Sequence, residues 1–176
     1  MAKTYAIVGT GGRARMFYEA IFGPHKDSSR LVALCDTNQT RMDFTNRLFV
    51  EELGGQAVPT YKAHDFERMI AEQKPDYVIV TSIDRTHHRY IIGAMELGCD
   101  VITEKPMTVD KEKCQAILDA VERTGRNVRV TFNYRYAPHN SALRELIAEG
   151  AIGTPTSVHF EWLLDTRHGA DYFRRW

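Results

Sequence analysis

The sequence lacks an excess of charge of either sign. Lys plus Arg and Asp plus Glu number 23 each, so no overall field draws the chain to nucleic acid or to an anionic membrane. It also lacks long hydrophobic runs. Every apolar stretch is strand-length or broken by charge, which argues against a membrane-spanning helix. Cysteine is scarce: Cys35, Cys99 and Cys114 are odd in number and widely scattered, a pattern that fits reduced, partly buried thiols better than disulfides or a zinc site. The seven histidines show no metal-ligand spacing, so no metal is expected. The N-terminus passes directly into a strand pattern, with no charged n-region, apolar stretch and cleavage site before it, and a cytoplasmic location is expected. What remains is ordinary for a soluble globular protein: 176 residues, 43% hydrophobic and 26% charged, enough for one domain plus an appendage and too few for two full domains.

The most informative stretch is Tyr5 to Ala14, where a buried-strand pattern runs into a glycine turn and then a helix. Ala6-Ile7-Val8 is short, uninterrupted and partly β-branched, as suits a parallel strand covered on both faces. In the G-x-G-x-x-G/A pattern that follows, Gly9 allows the tight turn, Gly11 lets a pyrophosphate approach bare backbone, and small Ala14 permits close packing of helix on strand. The free N–H groups and dipole of the next helix then face the phosphates. Taken alone, the same residues could form an ordinary strand-to-helix turn. The context of the motif favours a nucleotide.

Met16, Phe17, Ala20 and Ile21 recur at helical spacing until Gly23-Pro24, and Leu31 to Cys35 reads as a second buried strand. Asp36 stands at its carboxyl end. A carboxylate there can accept both ribose hydroxyls of NAD and repel the extra phosphate of NADP, although an Asx turn or helix cap leading into Thr37-Asn38 is an equally physical use for it. Arg13, Arg15 and Arg41 keep NADP open, because a guanidinium from the glycine turn or the next helix can hold a 2′-phosphate or stack on adenine. The balance falls to NAD.

Asp65 to Glu72 predicts a brief helix with Phe66, Met69 and Ile70 inward, and Tyr77 to Thr81 a clear strand. The polar loop Ser82 to His88 follows at the carboxyl edge, where open α/β sheets place their ligands. Cys99 to Thr103 is another strand, ending in Glu104-Lys105-Pro106, where a lysine between a strand end and a proline has little freedom and can act as a positioned cation or proton donor. Asp110 caps a helix with Cys114, Ile117, Leu118 and Val121 as its apolar stripe, and Asn127 to Phe132 makes one more strand. The alternation predicts an α/β fold with a doubly wound parallel sheet. From Asn133 the texture changes: an aromatic and basic turn, an amphipathic segment through Leu143, Leu146 and Ile147, and period-two alternation from Thr156 to Leu164 that predicts a strand. We therefore expect a dinucleotide-binding Rossmann domain over 1–132 and the beginning of a second, α+β domain over 133–176.

The Gly9 turn, Asp36, the Thr81-to-His87 loop, Glu104-Lys105-Pro106 and Asn133-Tyr134-Arg135 occur in one order and together resemble the Gfo/Idh/MocA family of nicotinamide-dependent oxidoreductases. The strongest element is Gly98 to Pro106. The resemblance covers the whole chain but only the first half or so of a typical member. It implies that Gly9, Thr10, Gly11, Gly12, Arg13 and Ala14 bind the pyrophosphate and Asp36 the adenosine ribose, with Arg41 nearby. Thr81, Ser82 and Ile83 would line the cofactor, with His87 at the place of the family's loop histidine. Lys105 would stand by the nicotinamide and substrate as the catalytic cation, its bond to Pro106 often cis in such proteins, with Glu104 a structural or cofactor-side partner and Asn133 near the nicotinamide. Arg135 and Tyr136 would open the substrate side.

The implied reaction is hydride transfer between NAD(P) and a sugar or polyol hydroxyl. The family's general acid/base belongs to a C-terminal domain that this chain only begins, so His168 and Asp171 are not assigned to catalysis, and the Arg174-Arg175 pair is read as solvated or as facing a substrate anion. The missing sheet is also a common dimer surface in the family. A homo-oligomer is compatible with the chain but not required by it. Two alternatives stand beside the oxidoreductase: a truncated, non-catalytic nucleotide-binding module, and a relative that uses NAD transiently to cleave glycosides.

Overall fold

The computed structural model describes residues 2–163 and 165–166, and the chain divides into two compact units, Met1–Phe132 and Asn133–Trp176. The first unit is built on six strands: β1 (Lys3–Val8), β2 (Ser29–Asp36), β3 (Thr60–Lys62), β4 (Tyr77–Val80), β5 (Asp100–Glu104) and β6 (Val128–Thr131). All pairings are parallel, in the order β3-β2-β1-β4-β5-β6. Chain direction across the sheet therefore reverses between β1 and β4. In an open α/β sheet the crevice at that reversal, outside the carboxyl ends of the strands, is where ligands bind.

Helices cover both faces: α1 (Arg15–Phe22), α2 (Gln39–Glu51), α3 (Phe66–Gln73), α4 (His87–Glu96) and α5 (Lys111–Thr124). Strand side chains alternate between two cores, as a period of two demands. Ile7, Leu34 and Ile79 meet Tyr18 and Ile21 of α1 and Met42 and Phe49 of α2, whereas Ala6, Val8, Val78 and Val101 meet Met69 of α3, Ile91 of α4 and Ile117 of α5. Full burial of each large aliphatic side chain stabilises the fold by about 1.5–3 kcal/mol, so both cores contribute. The expected inward residues of α3 are indeed buried.

The inward face of α1 differs from the expected one. Met16 is exposed, and the buried positions are Ala14, Tyr18 and Ile21. The reason is phase: a 3-10 turn, Gly12–Ala14, precedes the helix and seats Ala14 against Ile7, so the residues four and seven further on inherit the sheet-facing side. In α5 the buried residues are Ile117 and Ala120, and Leu118 lies half in solvent. Asp110 caps this helix by accepting from the Lys113 N–H at 2.8 Å, and Gly125 ends it at φ +67°.

The second unit holds α6 (Pro138–Ala148), which buries none of its side chains; Leu143, Leu146 and Ile147 remain exposed. The strand expected over Thr156 to Leu164 does not form among residues 156–163. Val158 and Phe160 are exposed there, and no strand among the described residues pairs with this segment to receive its backbone hydrogen bonds. Leu164, His168, Asp171 and Arg174-Arg175 fall outside the described residues. Among those described, no helix is long and apolar enough to cross a membrane, and no cluster of His, Cys, Asp or Glu could hold a metal ion.

Burial, aided by the negative charges of Asp36 and Asp65, pushes the Cys35 thiol up to about 12, and burial pushes Cys99 up to about 11. Thiolate is the reactive form. In native protein at pH 8, Cys35 and Cys99 are therefore expected to resist iodoacetamide, and to react fully once denatured. Peptide mass spectrometry reads this directly, and labelling of either thiol in the folded chain would contradict their placement.

Candidate functional site: the carboxyl edge between β1 and β4

Gly9 leaves β1 at φ +91°, a conformation that favours glycine. Its amide donates to the Cys35 carbonyl at 2.8 Å, and the Thr81 hydroxyl donates to the Gly9 carbonyl at 2.6 Å. A Cβ built on Gly9 would lie 2.6 Å from the Ser82 nitrogen, so the turns after β1 and β4 touch backbone to backbone. Gly11 and Gly12 are different. Neither has a positive φ; a Cβ on Gly12 meets nothing within 4 Å, and one on Gly11 meets only Arg41 Nη1 at 3.9 Å. The fold's own packing does not require these two glycines. They leave bare backbone facing open space, and the 3-10 turn has no side-chain cap at its N-terminus; Ala14 and Arg15 already donate their N–H groups to the Gly11 and Gly12 carbonyls, so the amides that an anion could meet are those of the glycine turn before them.

Asp36, at the end of β2, faces the same turn. Its Oδ2 accepts from the Thr10 N–H at 2.6 Å and the Thr10 hydroxyl at 2.9 Å, and its Oδ1 accepts from the Asn38 N–H at 2.9 Å and the Thr37 hydroxyl at 3.3 Å. The Asx turn is thus present, and Asn38 rather than Asp36 caps α2, by accepting from the Arg41 N–H at 3.2 Å. Of the three arginines that kept a 2′-phosphate open, two are committed elsewhere. Arg13 forms a two-pronged pair with Glu104 at 2.8 and 3.1 Å, and Arg15 pairs with Glu19 at 2.6 Å. Arg41 alone of the three makes no ion pair among the described residues, and its guanidinium lies beside Gly11.

Glu104 is only 3% exposed, in a buried site at the end of β5. Besides Arg13, its Oε1 has the Thr131 hydroxyl at 3.1 Å. Thr131 was invisible in the sequence. It is the residue opposite Glu104 in the β5–β6 register, so only strand pairing brings it there. Lys105 follows with a cis bond to Pro106; its side chain is exposed and has no hydrogen bond or ion pair among the described residues. Ile83 is exposed at the same edge, and Ser82 Oγ lies 2.8 Å from Thr86 Oγ1.

His87 does not present its ring to the cleft. It is 1% exposed, at the start of α4, with Nδ1 2.9 Å from the Pro106 carbonyl and Nε2 3.0 Å from the Ser82 carbonyl. A helix that starts at His87, rather than the expected Arg89, turns the ring inward between the loops after β4 and β5. The ring thus lies between two loop carbonyls, of which a neutral imidazole, with its single N–H, donates to one. Asn133 opens the second unit.

Residues 3–132 match the family model described as an oxidoreductase family with an NAD-binding Rossmann fold. The chain belongs to the Gfo/Idh/MocA family. Among its relatives, YteT of Bacillus subtilis is 35% identical over 175 residues, 99% of this chain and 40% of that protein. D-glucoside 3-dehydrogenase of Escherichia coli is 29% identical over 148 residues, 84% of this chain and 40% of that one. In fold the chain is similar to scyllo-inositol dehydrogenase from Lactobacillus casei, solved with NAD(H) and scyllo-inositol, at a TM-score of 0.73 and 22% identity over 87% of this chain and 43% of that one. This Gfo/Idh/MocA chain thus spans about 40% of the length of the curated relatives it matches.

Proposed function

We propose that this chain is the cofactor-binding portion of an oxidoreductase that moves hydride between NAD and a hydroxyl-bearing carbon of a sugar or polyol. The observation that carries the reading is the pair Gly11 and Gly12: among the described residues a Cβ on Gly12 would meet nothing within 4 Å and one on Gly11 only Arg41 Nη1 at 3.9 Å, so both leave room over bare backbone. Open amides suit a pyrophosphate. Asp36 then receives the adenosine ribose, and its charge disfavours a 2′-phosphate. Arg41, beside Gly11 and without an ion pair among the described residues, would then serve the adenosine side, while Ser82 and exposed Ile83 would line the crevice toward the nicotinamide and buried Thr81, its hydroxyl on the Gly9 carbonyl, would hold the two turns together.

Bound NAD supplies the hydride acceptor. Lys105, unpaired and anchored at a strand end, supplies the cation that steadies a substrate hydroxyl as it loses its proton. The substrate class is taken from relatives named for inositol and D-glucoside oxidation. A cytoplasmic location is supported by three free thiols.

The test is a calorimetric titration of the chain with NADH and, separately, NADPH. NADH is expected to bind more tightly than NADPH, and Asp36→Ala to weaken NADH by about tenfold to a hundredfold, the value of hydrogen bonds to a charged acceptor. Absence of NADH binding, or an Asp36→Ala variant that binds as well as the parent, would overturn the reading.

A further inference from the structure

A carboxylate offers about four lone-pair positions, and all four on Asp36 are taken. Two of the donors are main-chain N–H groups, of Thr10 and Asn38, held by the β1 turn and the Asx turn. The other two are hydroxyls, one on each oxygen: Thr10 Oγ1 to Oδ2 at 2.9 Å and Thr37 Oγ1 to Oδ1 at 3.3 Å. Fixed amides cannot leave. Hydroxyls can, by rotation about the side chain.

A vicinal diol presents two O–H donors, and a carboxylate that receives it takes one on each oxygen. The threonine hydroxyls hold those two acceptor positions. We propose that Thr10 and Thr37 act as stand-ins for a ribose diol, so that the nucleotide must displace them, and that Thr10 is the residue that sets NAD affinity through this internal competition. The inference rests on the assignment of the ribose to Asp36. Thr10 matters more than Thr37 because its contact is shorter and the residue is only 8% exposed, so little water competes for the bond; Thr37 is exposed and its bond is long.

The selectivity consequence is specific. A nucleotide with a free 2′,3′-diol gains when the competitor is removed, and one that carries a 2′-phosphate has no such pair of donors to offer. Thr10→Val keeps the shape, the β-branch and the main-chain N–H bond while it removes the hydroxyl.

The experiment is titration of the full chain and its variants with NADH and NADPH, with circular dichroism to confirm folding. Thr10→Val is expected to bind NADH about threefold to tenfold more tightly, the size of one hydrogen bond, with no gain for NADPH. Thr37→Val should gain twofold or less, and Thr10→Ser, which restores the hydroxyl, should return to the parent affinity. In an Asp36→Ala background the Thr10→Val gain should vanish.

If Asp36→Ala weakens NADH while a folded Thr10→Val binds it equally or less tightly, the competition is overturned and the ribose assignment survives. A weaker Thr10→Val would mean that the hydroxyl re-bonds to the ribose and assists it. If Asp36→Ala has no effect, both the competition and the ribose assignment fall.

Discussion

Gly9→Ala is expected to destabilise the first unit by about 3–5 kcal/mol and to abolish NADH binding, because two penalties act at one atom. The backbone at Gly9 has φ +91°, which an L side chain resists. The added Cβ would also sit 2.6 Å from the Ser82 nitrogen and 2.7 Å from both Ser82 Cα and the Thr81 carbonyl carbon. These are main-chain atoms, and they cannot swing aside as a flexible side chain can. The turns after β1 and β4 would have to separate, and with them the hydrogen bond from the Thr81 amide to the Val8 carbonyl at 2.8 Å.

Gly12→Ala is the matched control. A Cβ there meets nothing within 4 Å, so thermal stability should stay within about 0.5 kcal/mol of the parent while NADH affinity falls. Chemical denaturation and calorimetry on the two variants separate a glycine needed by the fold from one left bare for a ligand. Equal stability loss in both, or none in Gly9→Ala, would contradict the geometry.

Arg13→Ala is expected to cost about 2–3 kcal/mol, less than the loss from breaking a fully buried pair because the Arg13 side chain is 48% exposed. The loss comes from the partner left behind. Among the described residues, Glu104, at 3% exposure, keeps only the Thr131 hydroxyl as a side-chain donor once the guanidinium has gone. A carboxylate buried without compensation is unfavourable, whereas a neutral amide in the same place is tolerated. Glu104→Gln should therefore destabilise less than Arg13→Ala, and the double variant should recover part of the Arg13→Ala loss, giving a coupling energy of about 1 kcal/mol or more in urea denaturation. Additive losses would show that the pair contributes little.

The same ion pair bears on cofactor choice. Arg13 stands in the glycine turn, where the sequence allowed it to meet a phosphate, yet both of its bonded nitrogens point to Glu104. Arg15 is likewise occupied by Glu19. Two of the three cations that kept NADP in contention are therefore withdrawn, and Arg41, beside Gly11, is the one of the three without an ion pair among the described residues. Charge type was legible in the sequence; charge availability was not.

Much of the architecture followed from sequence alone, for a physical reason that can be stated element by element. Buried parallel strands must be apolar on both faces, and Ala6 to Val8, Leu31 to Cys35 and Tyr77 to Val80 announce themselves by that requirement. Turns that need a positive φ call for glycine, which marked Gly9, Gly98 and Gly125. The Asp110 cap and the inward residues of α3 depend on neighbours within a few positions of the chain. Local rules were sufficient for all of these.

What required the tertiary structure depends on neighbours far apart in sequence. Strand order puts Thr131 opposite Glu104 and carries Arg13, 91 residues away, onto the same carboxylate. It also places the His87 ring between the Ser82 and Pro106 carbonyls instead of in the cleft. The phase of α1 was set by Ala14 seated on Ile7, and the alternation after Thr156 gives no strand among residues 156–163 because alternation supplies a face to bury but not the partner strand that must receive its hydrogen bonds. By itself the sequence determined which segments are strands, helices and glycine turns, and which residue types stand at the sheet's carboxyl edge. Only the tertiary structure decided which of those side chains are left free to meet a ligand, because a polar group's availability depends on what it already bonds, and its partners come from everywhere in the chain.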